Sequence, residues 1–417
     1  MTRILIITRA FPWLPGEQFI EPEAPFWDRD DAEVVVMPWK MDGKPRPVPE
    51  SVRLDDCLAR ITGAQRRSAR LAALRSPLLR RELVWLARQG RLNRATAKEA
   101  LRAVSGALVH RDALAAWIEA NGPIDVLYSY WWDVWTFGAQ LLKGKGVGHV
   151  VTRAHRYDLY EDRHPSGYLG LHRQLGRQLD LFLPISGEGE RYGLDTYGLD
   201  PARVRLSPLG VELPHSLSST SPEGELNLLS VAFMSRVKRI DRIVDALALL
   251  CAEHPELTVR WTHFGGGELM EEMRERLAAH QDLSNLHAVL AGSVDNDRIR
   301  QHLDEEPVDL FVNSSESEGV PVSIMEAMAF GVPTLAPDVG GISDLVPAAG
   351  GGGELLGAMP EAREIADALW RWHDRAKDPD ERQAAHRAVQ EGFDQAKNYA
   401  GLMDLLVSMA ASGAAEA

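Results

Sequence analysis

The chain repeats one pattern twice: short apolar runs rich in Val, Ile and Leu alternate with stretches whose apolar residues have helical spacing. Apolar runs without strict period-two alternation are typical of parallel strands that are covered on both faces. In the first half, the predicted strands are Ile4–Thr8, Glu33–Trp39, Val126–Trp131, His149–Arg153, Leu181–Ile185 and Val204–Ser207. In the second half, they are Leu226–Met234, Leu257–Phe264, Leu286–Ala291, Asp309–Val312 and Thr334–Ala336. This alternation predicts an α/β fold with doubly wound parallel sheets.

Residues 211–225 interrupt the pattern. They contain two prolines and five Ser or Thr residues, and their apolar residues show no periodicity. Such a composition is typical of a linker between domains. We therefore predict a first domain over residues 1–210 and a second over residues 211–394, two doubly wound domains that face a cleft. The end of the chain, from about residue 395 to residue 417, is predicted to be helical.

Composition excludes several classes of protein. The 417 residues are 45% hydrophobic and 25% charged, as in a globular protein, and no run of 18 apolar residues predicts a membrane-spanning helix. The two cysteines, Cys57 and Cys251, are too far apart for a Cys-x-x-Cys pair and do not suggest a disulfide framework, so a cytoplasmic protein is expected. A net charge of −14 argues against duplex nucleic acid as a partner.

Positive charge is nevertheless concentrated between Arg60 and Arg102. Twelve Arg or Lys residues lie in this stretch, and only Glu82 and Glu99 oppose them. One interpretation is a solvated helical face. The other is attraction to an anionic membrane surface at the inner face of the plasma membrane, with leucines and Trp85 entering the interface.

The segment with the clearest chemical meaning is residues 308–346. A buried strand over Asp309–Val312 is followed by a polar turn that ends at Glu318 and Gly319, and Pro321 suits the first turn of a helix. We predict that this helix continues to Phe330 and ends at Gly331. Backbone amides at such a helix start, opening at the carboxyl end of a strand, can bind an anion.

Two carboxylates flank this predicted anion site. Glu326 lies about one and a half turns into the helix, and helical side chains tilt toward the N-terminus, so its carboxylate can reach a diol beside the anion. Glu318 lies in the loop on the other side. The pattern favours a site that binds sugar hydroxyls next to a diphosphate. The alternative is that Glu326 is solvated on an amphipathic helix.

The run S-E-S-E-G-V-P-V-S-I-M-E-A-M-A-F-G-V-P, followed by G-G-I-S-D, resembles the signature of glycosyltransferase family four. The segments Ile7–Glu23, Thr152–Glu161 and Val237–Asp241 are also similar to this family, so the resemblance covers most of the chain. Its members are retaining, metal-independent transferases of the GT-B fold. The resemblance implies an N-terminal acceptor domain, a C-terminal donor domain and a final helix that packs back on the first domain.

The resemblance also implies substrates and partners. They are a nucleotide-diphosphate-sugar donor and a saccharide or lipid-linked acceptor, with no metal or other cofactor, and the relevant bacterial branches build surface polysaccharides and glycolipids. Transfer to a small metabolite is an alternative. Two rival interpretations are a GT-B nucleotide-sugar epimerase and a non-catalytic binder of sugar nucleotides.

Individual roles follow from the same resemblance. Glu326 matches the residue that binds the ribose, and Glu318 matches the one near the donor sugar and its phosphate. Lys238 matches the lysine that neutralises the diphosphate. The predicted backbone contacts to the sugar or diphosphate come from Gly319, Val320, Pro321 and Val322.

Further predicted site residues lie elsewhere in the chain. Gly16 is expected in a loop that closes over the donor, and Gly265 is expected near the base, although a plain tight turn is the alternative. His155 matches a histidine that contacts the donor sugar or assists catalysis, so it joins Glu318 and Lys238 as a catalytic candidate. Asp158, one helical turn later, is predicted to orient His155.

The sequence departs from the family at one charged position. Many members have an arginine five residues before the lysine, where this chain has Phe233. Arg236 and Arg239 are both candidates to replace the missing charge.

Overall fold

The structure, a computed structural model, describes residues 1–13, 16–346 and 351–415. The chain divides into two units. The first contains Met1–Pro208 together with the chain from Lys397, and the second contains Leu209–Ala396. Within the described residues, no helix has both the length and the apolar character needed to cross a bilayer.

The first unit is built on a six-stranded parallel sheet with the order β3-β2-β1-β4-β5-β6. Its strands are β1 (Thr2–Thr8), β2 (Ala32–Pro38), β3 (Arg53–Leu54), β4 (Ile124–Ser129), β5 (Val147–Ala154) and β6 (Leu181–Pro184). The order runs outward in both directions from the neighbouring strands β1 and β4, which is the doubly wound arrangement.

Among the described residues, six α-helices lie between these strands and a seventh follows β6. They are α1 (Gly63–Leu74), α2 (Pro77–Arg88), α3 (Arg94–Asn121), α4 (Val134–Gln140), α5 (Arg156–Leu159), α6 (His172–Leu175) and α7 (Gly187–Tyr197). The basic stretch between Arg60 and Arg102 thus falls on three helices, α1, α2 and the start of α3. Its breaks follow from capping, because the side chains of Ser76 and Asn93 accept hydrogen bonds from the amides that begin α2 and α3.

Alternate residues of the central strand feed two cores. Leu5 and Ile7 of β1 pack with α3, whereas Ile4 and Ile6 pack on the opposite face of the sheet. A strand that is covered on both faces needs apolar residues at every position, which explains the continuous run Ile4–Ile7.

The second unit repeats this architecture. Its parallel sheet has the order β12-β11-β10-β7-β8-β9 and again reverses at its first and fourth strands, β7 and β10. The strands are β7 (Glu225–Val231), β8 (Thr258–Phe264), β9 (Leu286–Gly292), β10 (Leu310–Val312), β11 (Thr334–Pro337) and β12 (Gly353–Leu356). The helices are α8 (Ile240–Glu253), α9 (Met270–Ala278), α10 (Asn296–Glu305), α11 (Val322–Ala329), α12 (Ala362–Trp372) and α13 (Pro379–Gly392). The two sheets confirm the predicted α/β class.

The last helix, α14 (Gln395–Ala415), contributes from Lys397 onward to the first unit. Leu402, Met403 and Leu406 join the core on the Ile4 face of the first sheet, and Asp404 forms an ion pair with Arg29 at 2.7 Å. Residues 416 and 417 of the predicted C-terminal helix lie outside the described residues.

Three strand predictions differ from the structure. Val204–Ser207 was wrongly predicted as a strand, since only Val204 forms a bridge, to Phe182 of β6. Pro184 at the end of β6 has no N–H to continue the ladder. The edge strands β3 and β12 were not predicted, because both are short and lack an apolar run.

The predicted linker contains no helix or strand over residues 212–224, as its composition indicates. It is nevertheless attached to the second unit. The backbone N–H and the hydroxyl of Ser221 donate to Asp309 at 2.9 and 2.5 Å, and the carbonyl of Ser218 accepts from Arg382 at 2.6 Å. These side-chain hydrogen bonds fix a segment that has no backbone ladder of its own.

Candidate functional site

The candidate site of the second unit lies where its strand order reverses. At such a point the loops after two adjacent parallel strands diverge, and α/β sheets bind ligands in the resulting crevice. The loop after β7 carries Arg236, Lys238 and Arg239, and the loop after β10 carries Glu318. Residues about 80 positions apart in the sequence are brought together in this way.

Lys238 and Glu318 form an ion pair. The Nζ atom of Lys238 lies 2.6 Å from Oε1 of Glu318, and the Nδ2 atom of Asn313 donates to the same oxygen at 3.3 Å. The Glu318 side chain is 10% exposed and that of Lys238 24%. The pair therefore presents a fixed positive charge at the edge of the sheet, directly beside a carboxylate.

Arg239 holds the two loops together. Its backbone is left-handed, with φ +49°, and its guanidinium contacts Asp241 at 3.0 Å and Glu316 at 2.6 Å. The hydroxyl of Ser314 lies 2.9 and 2.8 Å from the carbonyl oxygens of Lys238 and Arg239. Arg239 is thus occupied by two carboxylates of the protein.

Arg236 differs from Arg239 in this respect. It is exposed and has no ion pair or side-chain hydrogen bond within the part of the chain that the structure describes. Phe233, which stands where related sequences have an arginine, is 61% exposed and supplies no charge. Of the two arginines considered as replacements, Arg236 is the one with an available guanidinium.

Helix α11 begins at the end of the loop after β10. Pro321 precedes the helix with an extended backbone, and its carbonyl accepts from the amides of Ile324 and Met325. The amides of Val322 and Ser323 lie ahead of these first intrahelical bonds and point out of the helix start. The carbonyl of Gly319 accepts from the amide of Gly341 at 2.7 Å, which fixes the turn before the helix.

Glu326 is buried in the same helix. It is 5% exposed, so a solvated position on an amphipathic face is wrong. Its Oε1 atom accepts from Nδ2 of Asn296 at 2.6 Å. Burial raises the pKa of Glu326, while the hydrogen bond from Asn296 and the charge of Arg300 oppose that shift. A buried carboxyl with so few donors is suited to accept hydrogen bonds from hydroxyl groups.

Gly265 and Gly267 allow the turn after β8 to approach the loop after β7. Gly265 has φ +137° and Gly267 has φ +153°. A Cβ atom at Gly265 would lie 1.8 Å from the carbonyl oxygen of Ala232, and one at Gly267 would lie 2.4 Å from that of Met234. This turn therefore supports the segment that carries Lys238, and glycine is needed for the close approach.

In the first unit, Gly16 lies in the loop after β1, whereas His155 and Asp158 follow β5, the strand beside β4. Gly16 has φ +103°. The next residue, Glu17, accepts from the amides of Ala10 and Phe11 at 2.6 Å and from the indole N–H of Trp131. The loop after β1 is thereby tied to the loop after β4. Glu17 is not among the residues predicted from the sequence, where its only local signal is its position beside a turn glycine.

His155 directly follows β5 and is surrounded by aromatic rings. Its ring centroid lies 4.5 Å from that of Trp131, 5.2 Å from Tyr130 and 5.6 Å from Phe19. Both ring nitrogens are buried, and neither has a hydrogen-bond partner among the described residues. Burial and the nearby charge of Arg153 lower the pKa of His155 well below its usual value, so its imidazole is neutral near pH 7.

Asp158 positions the backbone around His155. Its two carboxylate oxygens accept from the amides of His155 and Trp132, each at 2.7 Å. The prediction that Asp158 orients His155 therefore needs correction: the contact is to the main chain and not to the imidazole. Burial raises the pKa of Asp158 to about 7.

No group of three His, Cys, Asp or Glu side chains within residues 1–13, 16–346 and 351–415 is arranged to hold a metal ion. The polar groups at the reversal of the second sheet are three cations, the amides that begin α11 and four carboxyl groups, those of Asp241, Glu316, Glu318 and Glu326. This set can bind a diphosphate and hydroxyl groups at adjacent positions.

Comparison with known proteins finds a family match in the second unit. Residues 225–374, which contain Lys238, Glu318 and Glu326, match the family "Glycosyl transferases group 1". WcaL of Salmonella typhimurium, named as a colanic acid biosynthesis glycosyltransferase, is 28% identical over 222 residues, 51% of this chain and 53% of that protein. The amylovoran biosynthesis glycosyltransferase AmsK of Erwinia amylovora is 26% identical over 285 residues, 65% of this chain and 66% of that protein. The chain thus spans about half to two thirds of the length of these curated relatives.

Solved structures extend the likeness over almost the whole chain. The lipopolysaccharide outer core galactosyltransferase WaaB, in its apo form, has a TM-score of 0.68 at 13% identity and covers 97% of this chain and 99% of its own. Anabaena HepE, in complex with UDP and glucose, has a TM-score of 0.65 at 16% identity and covers 98% and 100%. These likenesses show the fold and confirm the predicted GT-B class. The family match over residues 225–374, which lie in the second unit, confirms the resemblance drawn from the sequence.

Proposed function

We propose that this protein is a retaining glycosyltransferase that moves a sugar from a nucleotide-diphosphate donor to a hydroxyl of a saccharide or lipid-linked acceptor. The observation that carries the proposal is the arrangement at the reversal of the second sheet. There the Lys238–Glu318 ion pair lies in the loops that precede α8 and α11, and Glu326 is buried within α11 itself. The names of the relatives favour surface polysaccharide assembly as the process served.

In the proposed complex, the diphosphate lies against Lys238, Arg236 and the amides that begin α11. Negative charge builds on the departing phosphate as its bond to the sugar breaks, and fixed donors that face this charge lower the barrier. The N-terminal end of α11 adds its partial positive charge. Glu326 accepts hydrogen bonds from the ribose hydroxyls, and Glu318 keeps Lys238 in place beside the sugar.

The proposed reaction is a displacement on one face of the sugar. The bond between the anomeric carbon and the phosphate oxygen breaks, the acceptor oxygen bonds to the same face of that carbon, and the departing phosphate takes the acceptor's proton. No covalent enzyme intermediate and no metal are required in this scheme. The neutral imidazole of His155 is suited to a hydrogen bond with a sugar hydroxyl, since both its nitrogens lack partners among the described residues.

The first experiment identifies the donor. We expect one nucleotide sugar from a panel with different bases to raise the unfolding free energy of the protein, by about 2.7 kcal/mol at a hundredfold excess over its dissociation constant. That donor should then be transferred to acceptor extracts with retention, as read from the anomeric configuration of the product by NMR. An inverted product, or conversion of the donor alone to a new sugar nucleotide, would contradict the proposal; the latter is the outcome expected of an epimerase.

A variant pair tests the site. Replacing Glu326 by Gln removes a charged hydrogen-bond acceptor. A hydrogen bond to a charged group contributes about 1.5–3 kcal/mol, so its loss should weaken donor binding by roughly 10- to 100-fold. Glu305→Gln on the exposed face of α10 removes the same charge away from the site and should leave donor affinity unchanged. Equal affinities of the two variants, measured by isothermal titration calorimetry, would remove Glu326 from the donor site.

A further inference from the structure

Two adjoining cavities on helix α2 have complementary chemistry. One, of about 530 Å³, is lined mainly by apolar side chains, including Leu74, Leu79 and Leu83. The other, of about 680 Å³, is lined by five arginines and Trp85. These arginines are Arg80, Arg81, Arg88, Arg173 and Arg177. Arg80 and Val84, one helical turn apart, line both cavities, so the apolar and the cationic spaces adjoin along α2.

Four of the five guanidinium groups are available to a ligand. Within the described residues, Arg80, Arg81, Arg88 and Arg177 form no ion pair, and Asp195 is the one exposed carboxylate among the residues that line the cavity. Glu82 also belongs to the lining but is 5% exposed. Its oxygens accept from the side-chain amide of Gln174 at 2.7 Å, from the amide of Leu171 at 3.3 Å and from the hydroxyl of Tyr168.

The wall of the arginine cavity is held in place by packing. The guanidinium of Arg173 stacks on the rings of Trp85 and Tyr197, at 4.6 and 5.1 Å from their centroids, and forms an ion pair with Glu161. Glu82 anchors α2 to the segment around Tyr168. The exposed arginines of α2 therefore project from a fixed helix.

The apolar cavity opens beside exposed hydrophobic side chains. Leu74 is 60% exposed, Val84 is 45% exposed, and Leu71 on the preceding helix is 67% exposed. Burial of such side chains in an acyl environment is favourable, and each basic residue near an anionic bilayer adds about 1 kcal/mol. Nucleic acid would use the arginines but leave the apolar cavity unfilled.

We propose that these two cavities bind an anionic phospholipid at a membrane surface, with its phosphate among Arg80, Arg81 and Arg88 and an acyl chain over Leu74 and Val84. The proposal extends the proposed function, because a lipid-linked acceptor is presented at such a surface. It also assigns the membrane attraction expected of the basic stretch over residues 60–102 to a defined headgroup site.

Vesicle sedimentation of the full chain tests the site. The protein should bind vesicles of equimolar phosphatidylcholine and phosphatidylglycerol, and should not bind vesicles of phosphatidylcholine alone. The triple variant Arg80→Gln, Arg81→Gln, Arg88→Gln is compared with Arg66→Gln, Arg67→Gln, Arg70→Gln, which removes three charges from exposed positions on α1. We expect the first triple to weaken binding at least about tenfold more than the second, since only the first removes headgroup contacts.

Equal losses in the two triples would show a diffuse attraction and overturn the headgroup site. Equal binding to both kinds of vesicle would overturn the role of the phosphate. A third variant, Leu74→Ser with Val84→Ser, changes only exposed side chains and should weaken binding to anionic vesicles several-fold; unchanged binding would remove the acyl chain from the apolar cavity.

The outcome is separable from that of the proposed function. Donor binding depends on Lys238 and Glu326 in the second unit, so the arginine triple on α2 should retain the donor-induced thermal shift of the unmodified protein. Selective vesicle binding without any sugar transfer would refute the transferase and leave the lipid site standing. Sugar transfer without selective vesicle binding would refute the lipid site and leave the proposed transferase standing.

Discussion

The two sheets have the same strand order, yet the loops after their strands are built from different chemistry. In the first unit, His155 is enclosed by the rings of Phe19, Tyr130 and Trp131. In the second unit, the loops after β7 and β10 carry three cations, and the ion pairs of Lys238 with Glu318 and of Arg239 with Glu316 are partly exposed. Strand order thus fixes where a site lies, whereas the loops after the strands decide what it can bind.

The difference extends to how charge is held. Arg153 and Glu23 in the first unit form an ion pair at 2.8 Å with both side chains fully buried. The hydroxyl of Tyr130 lies 3.1 Å from Arg153, whose other nitrogen donates to Ser207 at 3.0 Å. In the second unit, Arg239 pairs with its carboxylates near solvent. We infer that the first region depends on its charges for stability and the second for ligand binding.

The largest expected effect comes from breaking the buried pair. Arg153→Met leaves the Glu23 carboxylate buried without its partner, and we expect the unfolding free energy to fall by about 3–5 kcal/mol. Urea denaturation of the full chain measures this loss. The double variant Arg153→Met with Glu23→Gln removes both charges and should recover much of it; a double variant as unstable as the single one would show that packing, not the unpaired charge, is responsible.

The sequence was most informative where the site is local. Residues 308–346 contain a strand, a turn and a helix in one run, so capping and helical periodicity were enough to place Glu318 and Glu326 on either side of the start of α11. The pairing of Lys238 with Glu318 spans the two strands at the reversal point. The family resemblance assigned both residues to the donor site, but their pairing was not predicted, because periodicity does not give strand order.

Other features depend on long-range packing and could not be predicted. Asp158 accepts from the amide of Trp132, which comes from a different strand loop. Glu17 accepts from Trp131 in the loop after β4, and the guanidinium of Arg239 contacts Glu316 in the loop after β10. Each of these contacts joins loops that are neighbours only after the strands have paired.

The unfolding free energy should also depend on pH through Asp158 in the first unit. Because burial raises the pKa of Asp158 to about 7, the folded protein holds a proton that the unfolded chain loses above pH 4. The unfolding free energy should therefore fall as pH rises from about 4 to 7, with a slope of as much as about 1.4 kcal/mol per pH unit from this group.

The comparison with Asp158→Asn isolates this contribution. Other titrating groups are common to both proteins, so the difference in unfolding free energy between them should change over this pH range and become constant above pH 7. Asn loses one of the two carboxylate acceptors, which shifts the difference by a constant but does not alter its slope. A difference that is flat from pH 4 to 7 would mean that Asp158 is ionised throughout.

The smallest effect on stability is expected at Arg239 in the second unit. A left-handed backbone costs a residue with a side chain about 1–2 kcal/mol, which glycine avoids. The ion pairs of Arg239 are partly exposed and contribute about 0–1 kcal/mol each. Arg239→Gly should therefore change the unfolding free energy by less than about 1 kcal/mol, because the two effects oppose each other.

Arg239→Ala completes this test, since it removes the same ion pairs but keeps the unfavourable backbone. We expect the Ala variant to be about 1 kcal/mol less stable than the Gly variant in urea denaturation. Both variants release the loop that carries Lys238 from Glu316, so both should weaken donor binding although only one is destabilised. If donor affinity instead followed stability, the Gly variant would bind the donor as the unmodified protein does, and the Ala variant would bind it less tightly. Arg239 would then act only through its backbone. The contrast between a structural first region and a binding second region would not hold at this residue.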